Sequence, residues 1–215
     1  ERPEREKPRY MITIGITGII GSGKTTASAA LKARGIPVID LDALAKKMLT
    51  LAEVHEEIER EFGDGLVIDG QIVVEKLRDI VFADREKLRR LERITHPRVR
   101  RELWREVGER AEAGEKAIVV DGPLLFETGL YKELDRTVVV TAGMDVIRER
   151  LKLRGMAPDD IERRISNQIP LKEKEEAADY VLLNNGTRED LERNIEALLE
   201  RINEWEVRTR CTSTT

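Results

Sequence analysis

The run of this chain that could most plainly do chemistry is Gly-Ile-Thr-Gly-Ile-Ile-Gly-Ser-Gly-Lys-Thr-Thr, over residues 15–26. It contains Gly18, four further residues and then Gly23-Lys24-Thr25, and it follows an apolar segment at 12–17. Glycines so placed let successive backbone N–H groups converge on phosphates at the positive end of the next helix. The run therefore predicts a loop that binds a nucleoside triphosphate.

Individual side chains in and near this loop have distinct expected roles. We expect Lys24 to reach the β- and γ-phosphates and the Thr25 hydroxyl to ligate Mg²⁺. Asp121 follows the apolar residues Ala-Ile-Val-Val, as a Mg²⁺-supporting carboxylate commonly does in such enzymes. The positions of the run expected to contact ATP are Gly18, Ile20, Gly21, Ser22, Gly23, Lys24, Thr25 and Thr26.

Two carboxylates close the next predicted strand, Val38-Ile39-Asp40. Asp40 and Asp42 are two residues apart, so they point the same way if the strand continues through both. One of them could accept a proton from an acceptor hydroxyl. The alternative is that either acid caps a helix beginning near Ala43. For Asp42 we favour the functional role.

Basic residues are concentrated between positions 148 and 168, in a segment that residues 155–158 divide into two predicted helices. They are Arg148, Arg150, Lys152, Arg154, Arg163 and Arg164. Phosphoryl transfer needs cations around the migrating group, delivered by an element that can close over it. Interleaved acids could instead pair with these cations on a solvated surface, which is our interpretation for most of them. Arg150 and Arg154 lie four residues apart on one helical face. For these two, both interpretations stay open: a role in phosphoryl transfer, and pairing on a solvated surface.

Short apolar strands alternate with helical segments, which is typical of a parallel sheet covered on both faces. The predicted strands are 12–17, 38–40, 117–121, 136–141 and 180–183. From 44 to 113 the pattern is predominantly helical, with a turn-rich link at 63–70. A last helix is predicted over about 187–204, with Thr187 as its N-cap. The fold class is α/β, in one domain with an insertion or lid.

Composition excludes several classes of protein. The 215 residues, 40% of them hydrophobic, can bury a full core. The 38 Lys and Arg against 42 Asp and Glu give no reason to expect a nucleic-acid partner. A single cysteine forms no internal disulfide and fits the reducing cytoplasm. Without a long apolar run or a secretory leader, we expect neither membrane insertion nor export. No motif fixes an oligomeric state.

Taken in order, the motifs resemble those of the dephospho-coenzyme A kinase family over nearly all of residues 12–202. A glycine-rich loop alone recurs in many enzymes, whereas this ordered set is specific. The resemblance rests on the glycine-rich run, Val38-Ile39-Asp40-Leu41-Asp42, the helical segment 77–82, Thr95-His96-Pro97, the block Asp121-Gly122-Pro123-Leu124-Leu125-Phe126-Glu127, Arg150 with Arg154, the run 164–168, and Ala178-Asp179-Tyr180-Val181 leading to Asn185.

The resemblance implies phosphorylation by ATP of the ribose 3′-hydroxyl of dephospho-coenzyme A, the last step of coenzyme A biosynthesis. Asp42 would be the base or acceptor-orienting residue, and Lys24 and Arg150 would stabilise charge. Thr25 and Asp121 would support Mg²⁺. The resemblance further implies that ATP is contacted by Arg150, Arg154 and Asn185, with Asn185 at the adenine. It implies that the acceptor is contacted by Asp42, His96, Pro123, Leu124 and Leu125. Alternatively, His96 before a proline begins a helix and has no ligand.

The resemblance also implies a P-loop NTPase fold in three parts. A core at about 11–43 and 115–206 would hold a parallel five-stranded sheet, with a helical acceptor-binding insertion at about 44–114 and a helical lid at about 148–170. We expect residues 1–10 to be a disordered extension or an artefact before a natural start at Met11, and 207–215 to be a flexible tail.

Two positions depart from the family pattern. Ile19 stands where a glycine is usual, and Ile147 where a glutamine is common. Both bear on fine contacts rather than on the reaction. The alternatives are another kinase on the same core, acting on a nucleoside, a nucleotide or shikimate, and a nucleotide-driven switch protein.

Overall fold

The computed structural model describes residues 11–212, so the predicted extension at 1–10 and the last three residues lie outside the described range. The strands are β1 (Ile12–Thr17), β2 (Val38–Asp40), β3 (Val67–Ile68), β4 (Gln71–Ile72), β5 (Ala117–Asp121), β6 (Arg136–Thr141) and β7 (Tyr180–Leu183). The α-helices are α1 (Lys24–Ala33), α2 (Leu41–Met48), α3 (Ala52–Phe62), α4 (Val74–Phe82), α5 (Arg85–Glu112), α6 (Met144–Leu153), α7 (Pro158–Ser166), α8 (Leu171–Ala177) and α9 (Arg188–Thr212), and a 3₁₀ turn spans Leu130–Glu133.

Five strands form a parallel sheet, as the sequence predicted. Their order in the sheet is β2-β5-β1-β6-β7. In the centre, Ile12 of β1 pairs with Ala117 of β5, and Ile14 pairs with Arg136 of β6. All five strands have the bounds predicted for them. Because β5 and β6 flank β1, the carboxyl ends of all three strands meet at one edge of the sheet.

The sheet is covered on both faces, and for that reason β1 is buried at every position. On one face, α1 and α9 pack Leu31, Ile195 and Leu198 against the strands. On the other face, a Cβ placed on Gly15 would lie 2.9 Å from Leu125 Cδ1. The apolar runs at 12–17, 117–121 and 136–141 therefore correspond to strands that are buried on both faces.

The chain divides into two compact units, one formed by the residues up to Ile39 and from Gly108 onward, the other by Asp40–Val107. The second unit is helical and has its own core, in which Val54, Ile58 and Leu77 are buried. Its hairpin of β3 and β4 replaces part of the turn-rich link expected at 63–70. Asp69 and Gly70 both have positive φ there, 52° and 71°, as a tight two-residue hairpin turn requires.

Helix α5 runs without interruption through His96 and Pro97, so the alternative that His96 begins a helix is wrong. A proline inside a helix supplies no N–H to the turn before it. Nearby, the Arg98 guanidinium donates to the carbonyl oxygen of Ile94 at 2.7 Å and also pairs with Glu57 of α3 at 2.7 Å. These bonds from one side chain tie the proline-containing turn to the rest of the second unit.

Helix α9 begins where predicted but ends later. The Thr187 hydroxyl accepts a hydrogen bond from the Asp190 backbone N–H, and the Asp190 carboxylate accepts one from the Thr187 N–H, which is a reciprocal helix cap. The helix continues to Thr212, so residues 207–212, which we expected to belong to a flexible tail, are helical. Trp205 is buried against the sheet core, and it extends the apolar face of α9 beyond the predicted end at about 204.

None of the helices within residues 11–212 is both long and apolar enough to cross a membrane.

Candidate functional site

The loop between β1 and α1 has the backbone geometry that its glycines predict. Gly21 and Gly23 have φ values of 83° and 97°, in the left-handed region. A Cβ on Gly18 would lie 2.6 Å from the carbonyl oxygen of Val140, so no larger residue fits there. Gly23 is the N-cap of α1 and supplies no capping side chain, which leaves the first N–H groups of the helix open to an anion.

Lys24 and Asp121 form an ion pair at the carboxyl edge of the sheet. Their side chains are 17% and 10% exposed, so both charges are largely removed from water. The contact follows from topology: Asp121 ends β5 in register with Ile16 of β1, and Lys24 begins the helix after the loop. The two predicted site residues are thus brought together, and each neutralises the other.

Oxygen donors near this pair fit a magnesium ion that is shared with a nucleotide. Asp121 offers a carboxylate, and Thr25, the exposed second residue of α1, offers a hydroxyl. Within the described residues no group of three or more His, Cys, Asp and Glu side chains could hold a metal. Mg²⁺ prefers oxygen ligands and usually takes only one or two from protein, with phosphate oxygens and water completing its shell.

Asn184, directly after β7, holds the phosphate-binding loop through a hydrogen bond to its backbone. Its side-chain amide donates to the carbonyl oxygen of Ser22 at 2.7 Å, in a buried contact. Arg150 of α6 donates from Nη2 to the Asn184 carbonyl oxygen at 2.9 Å. Arg150 Nη1 is buried and has no hydrogen-bond partner among the described residues, so a donor close to Gly23 remains for a ligand.

Asn185 and Arg154, the other predicted nucleotide contacts of this region, have different surroundings from Arg150. Asn185 accepts a hydrogen bond from the Gly143 N–H at 2.5 Å, next to the start of α6. Arg154 is exposed and caps the C-terminus of α6, so it does not share the surroundings of Arg150. Sequence reasoning selected Asn185 and missed Asn184, although both follow a strand whose carboxyl end lies at the site.

The segment 148–170, which the sequence predicts to be a lid, contacts the loop through a glutamine that is not among the predicted site residues. The Ile20 N–H donates to Gln168 Oε1 at 3.0 Å. Two arginines of the same segment form ion pairs on the surface, as expected for most of its basic residues. Arg148 pairs with Glu162 at 2.7 Å, and Arg164 pairs with Asp160 at 3.0 Å. The hydrogen bond from the Arg148 guanidinium lowers the pKa of the Glu162 carboxyl below its usual value.

The predicted acceptor-side block after β5 is partly a core element. The Pro123 carbonyl oxygen accepts a hydrogen bond from the Thr17 hydroxyl at 3.2 Å. Leu124 is 44% exposed, whereas Leu125 is fully buried against the sheet. The side chain of Leu125, one of the residues expected to contact the acceptor, therefore packs in the core. Ser22, one of the residues expected to contact ATP, is likewise fully buried.

In the second unit, the two carboxylates after Ile39 have different surroundings. β2 ends at Asp40, whose carboxylate accepts hydrogen bonds from the N–H groups of Asp42 and Ala43, at 2.9 and 3.1 Å. Asp40 is thus the N-cap of α2, as the capping alternative held. The strand does not continue through Asp42, which lies exposed in the first turn of α2. His96 is exposed on α5.

Comparison with known proteins places the chain in a family. A family model described as dephospho-CoA kinase matches residues 12–190. The dephospho-CoA kinase of Symbiobacterium thermophilum is 42% identical over 190 residues, covering 87% of this chain and 80% of that protein. The dephospho-CoA kinase of Aquifex aeolicus is 38% identical over 194 residues, covering 89% of this chain and 98% of that protein.

Solved structures of similar proteins have the same fold as this chain. The structure of TT1252 from Thermus thermophilus superposes with a TM-score of 0.78 at 38% identity, covering 89% of this chain and 98% of that one. A dephospho-CoA kinase from Campylobacter jejuni has the same fold, with a TM-score of 0.71 at 23% identity, covering 89% of this chain and 97% of that one. A family match over most of the chain, with these relatives, shows that the protein belongs to the dephospho-CoA kinase family and is a phosphotransferase.

Proposed function

We propose that the protein transfers the γ-phosphoryl group of ATP to the ribose 3′-hydroxyl of dephospho-coenzyme A, giving coenzyme A and ADP in the last step of coenzyme A biosynthesis. Family membership supports the reaction. The observation that supports its location is the Lys24–Asp121 pair beside an uncapped helix N-terminus and a glycine-rich loop. The substrates are two small molecules, and the proposed compartment is the cytoplasm.

The first proposed step is ATP binding on the loop. The N–H groups at the start of α1 face the phosphates, and the phosphate charge competes with Asp121 for the Lys24 ammonium group. Once Lys24 pairs with the β- and γ-phosphates, the Asp121 carboxylate and the Thr25 hydroxyl would be the protein groups that hold Mg²⁺. The bound ion would supply charge neutralisation on the β- and γ-phosphate oxygens.

Arg150 is the proposed second cation at the transferring group. Its guanidinium is held through Nη2 by Asn184, and its buried Nη1 donor has no partner among the described residues. A fixed donor in a site with little water stabilises developing charge without having to reorganise during the reaction. We assign Arg154 and the rest of the segment 148–170 to a lid that brings further donors to ATP when it closes.

Asp42 is the proposed base. As the acceptor oxygen forms its bond to the γ-phosphorus and the bond from that phosphorus to the β-phosphate oxygen breaks, the hydroxyl proton passes to the Asp42 carboxylate. His96, Pro123 and Leu124 are proposed to contact the acceptor. Asn185 is proposed to lie at the adenine of ATP.

An acceptor panel tests this function. Purified protein with Mg²⁺ and ATP is assayed for ADP release with dephospho-coenzyme A, with nucleosides, nucleotides or shikimate, and with no acceptor. We expect release only with dephospho-coenzyme A. ADP release only with another acceptor would indicate a different kinase on this core. ADP release that needs no acceptor and is stimulated by a protein partner would indicate a switch protein.

A further inference from the structure

We propose that the buried pair of Glu127 and Lys174 positions the backbone after Asp121 for the phosphoryl transfer, so that both residues act as positioning residues. Lys174 lies on α8, and Glu127 belongs to the turn after β5. Their polar contacts are with each other and with the backbone of Pro123 and Ile169. The inference rests on the proposed function.

The pair is built as an interior contact. Lys174 is fully buried, with an exposed fraction of 0%, and its Nζ lies 2.8 Å from Glu127 Oε1, whose side chain is 19% exposed. Lysine is almost never fully buried unless its charge is paired. Glu127 Oε2 is buried and accepts no hydrogen bond from the described residues. The buried Lys174 ammonium group therefore depends on Glu127 for its compensating charge, and the Glu127 carboxylate depends in the same way on Lys174.

Each member of the pair also holds backbone. Lys174 Nζ donates to the Pro123 carbonyl oxygen at 3.4 Å, and the Thr17 hydroxyl donates to the same oxygen at 3.2 Å. Pro123 lies two residues after Asp121. Its carbonyl is thus fixed from the end of β1 and from α8, on the segment that leads to the exposed Leu124.

Glu127 extends the arrangement to the lid. Its Oε1 accepts a hydrogen bond from the Ile169 N–H at 3.1 Å. The preceding residue, Gln168, is the one that accepts from Ile20 in the phosphate-binding loop. The Glu127–Lys174 pair consequently joins the turn after β5 to the end of the lid segment, at the point where that segment contacts the nucleotide site.

Stability alone is a poor reason for such a pair. Withdrawing two charges from water costs as much as their attraction returns, so replacing a buried pair by apolar side chains is often neutral for stability. Directional bonds from a buried charge, in contrast, fix backbone atoms in a way that apolar contacts do not. Positioning and stability can therefore be separated by replacing both residues at once.

The test compares the wild type with the double variant Glu127→Leu/Lys174→Met. We expect a melting temperature near that of the wild type, but a fall of about 10-fold or more in kcat/KM for dephospho-coenzyme A, because alignment of the acceptor controls the rate. The affinity for ATP, measured by calorimetry, should change less than about 3-fold, since Asn184 and the glycines still hold the loop. Lys172→Met, an exposed lysine of the same helix, is the matched control and should behave as the wild type.

Hydrogen exchange adds a readout that does not need turnover. Amides of residues 122–129 should exchange faster in the double variant than in the wild type, with residues 24–33 unchanged. If the leucine variant does not fold, Glu127→Gln/Lys174→Met keeps the shape of the glutamate and serves in its place.

Wild-type exchange, or wild-type kinetics for dephospho-coenzyme A, in a stably folded double variant would overturn the inference. Failure of the proposed function is seen separately, as a wild-type protein without dephospho-coenzyme A-dependent turnover. The exchange comparison then still decides whether the pair holds the turn.

Discussion

The side-chain nitrogen of Asn184 occupies the space that a β-carbon on Gly23 would need: an ideal Cβ there would lie 1.9 Å from Asn184 Nδ2. The same nitrogen donates to the carbonyl oxygen of Ser22, across a separation of 162 residues. The phosphate-binding loop thus depends on Gly23 for two reasons, its positive φ and the room it leaves for Asn184. Arg150 binds the carbonyl of the same asparagine and shares this arrangement.

Asn184→Ala should weaken ATP binding. The change removes the donor to Ser22 and leaves a buried carbonyl oxygen without its partner, a loss of about 1 to 3 kcal/mol in holding the loop. We expect kcat/KM for ATP to fall by about 10-fold or more. Asn194→Ala is the matched control, because Asn194 donates to Leu183 on the exposed side of α9. Equal kinetics in the two variants would contradict the role of Asn184.

Gly23→Ala and Gly35→Ala form a second matched pair. Both glycines have positive φ, 97° and 86°, so alanine is strained at either position. A Cβ on Gly35 meets no atom within 4 Å, whereas one on Gly23 overlaps Asn184. We expect both variants to lose stability in thermal unfolding but only Gly23→Ala to lose ATP binding. Retained ATP affinity in Gly23→Ala would show that the loop tolerates displacement of Asn184.

Lys24→Ala should keep the fold and lose most activity. Phosphoryl transfer requires charge neutralisation at the migrating group, and Lys24 is the cation placed beside Asp121 at the loop. We expect kcat to fall by about 100-fold or more, with circular dichroism unchanged. Lys32→Ala, at the exposed end of α1, is the control. Turnover within a few-fold of the wild type would refute the assignment.

Asp42→Asn tests the proposed base. The amide cannot accept the hydroxyl proton, so transfer should fall strongly while ATP still binds, because the acceptor rather than the nucleotide is misoriented. Steady-state kinetics with dephospho-coenzyme A and calorimetric titration with ATP separate the two effects. Glu56→Gln removes one exposed acid of α3 and should change neither quantity. Normal turnover in Asp42→Asn would move the role to another residue.

Acid should weaken the second unit through Glu102. Hydrogen bonds from Arg105, at 2.8 Å, and from Lys47, at 2.6 Å, lower the pKa of the Glu102 carboxyl to about 2. A carboxyl whose folded-state pKa lies below its unfolded value of 4.5 stabilises the fold above that unfolded value, and its contribution is lost as pH falls toward 2. We expect Glu102→Gln to lower the free energy of unfolding by about 1 kcal/mol at pH 7, since the partners are partly exposed.

Urea unfolding at several pH values checks this expectation. The difference between the wild type and Glu102→Gln should be constant from pH 7 to about 5 and should shrink below it. A difference that does not depend on pH down to about 3 would mean that Glu102 acts through packing rather than charge.

The sheet and the loop could be predicted from sequence because their signals are local. The strand residues 117–121 form an apolar run ending in an acid, and Gly18 to Thr25 form a motif with fixed spacing. Asn184 could not be found in this way, because its partner Ser22 is distant in sequence and an asparagine after a strand has no distinguishing pattern. The same holds for Gln168 and for Lys174, whose burial is unlike that of an ordinary lysine in a charged helix.

Other differences have local causes that the sequence reasoning did not use. Asp69-Gly70, within the predicted turn-rich link, is the turn of the hairpin formed by β3 and β4. Trp205 extends the buried face of α9, so the helix continues past the point where aliphatic periodicity ends. Asp40 is the helix cap that one of the two interpretations predicts, and the capping ends β2 before Asp42.

Identification of the phosphorylated product tests the central claim most directly. The protein is incubated with Mg²⁺, ATP and dephospho-coenzyme A, and the product is analysed by mass spectrometry and phosphorus NMR, with Lys24→Ala alongside. We predict one new phosphate per molecule, a monoester on the ribose 3′-oxygen, formed in equal amount to ADP and greatly reduced in the variant. ADP without a phosphorylated acceptor, or a phosphate on another hydroxyl, would contradict the account.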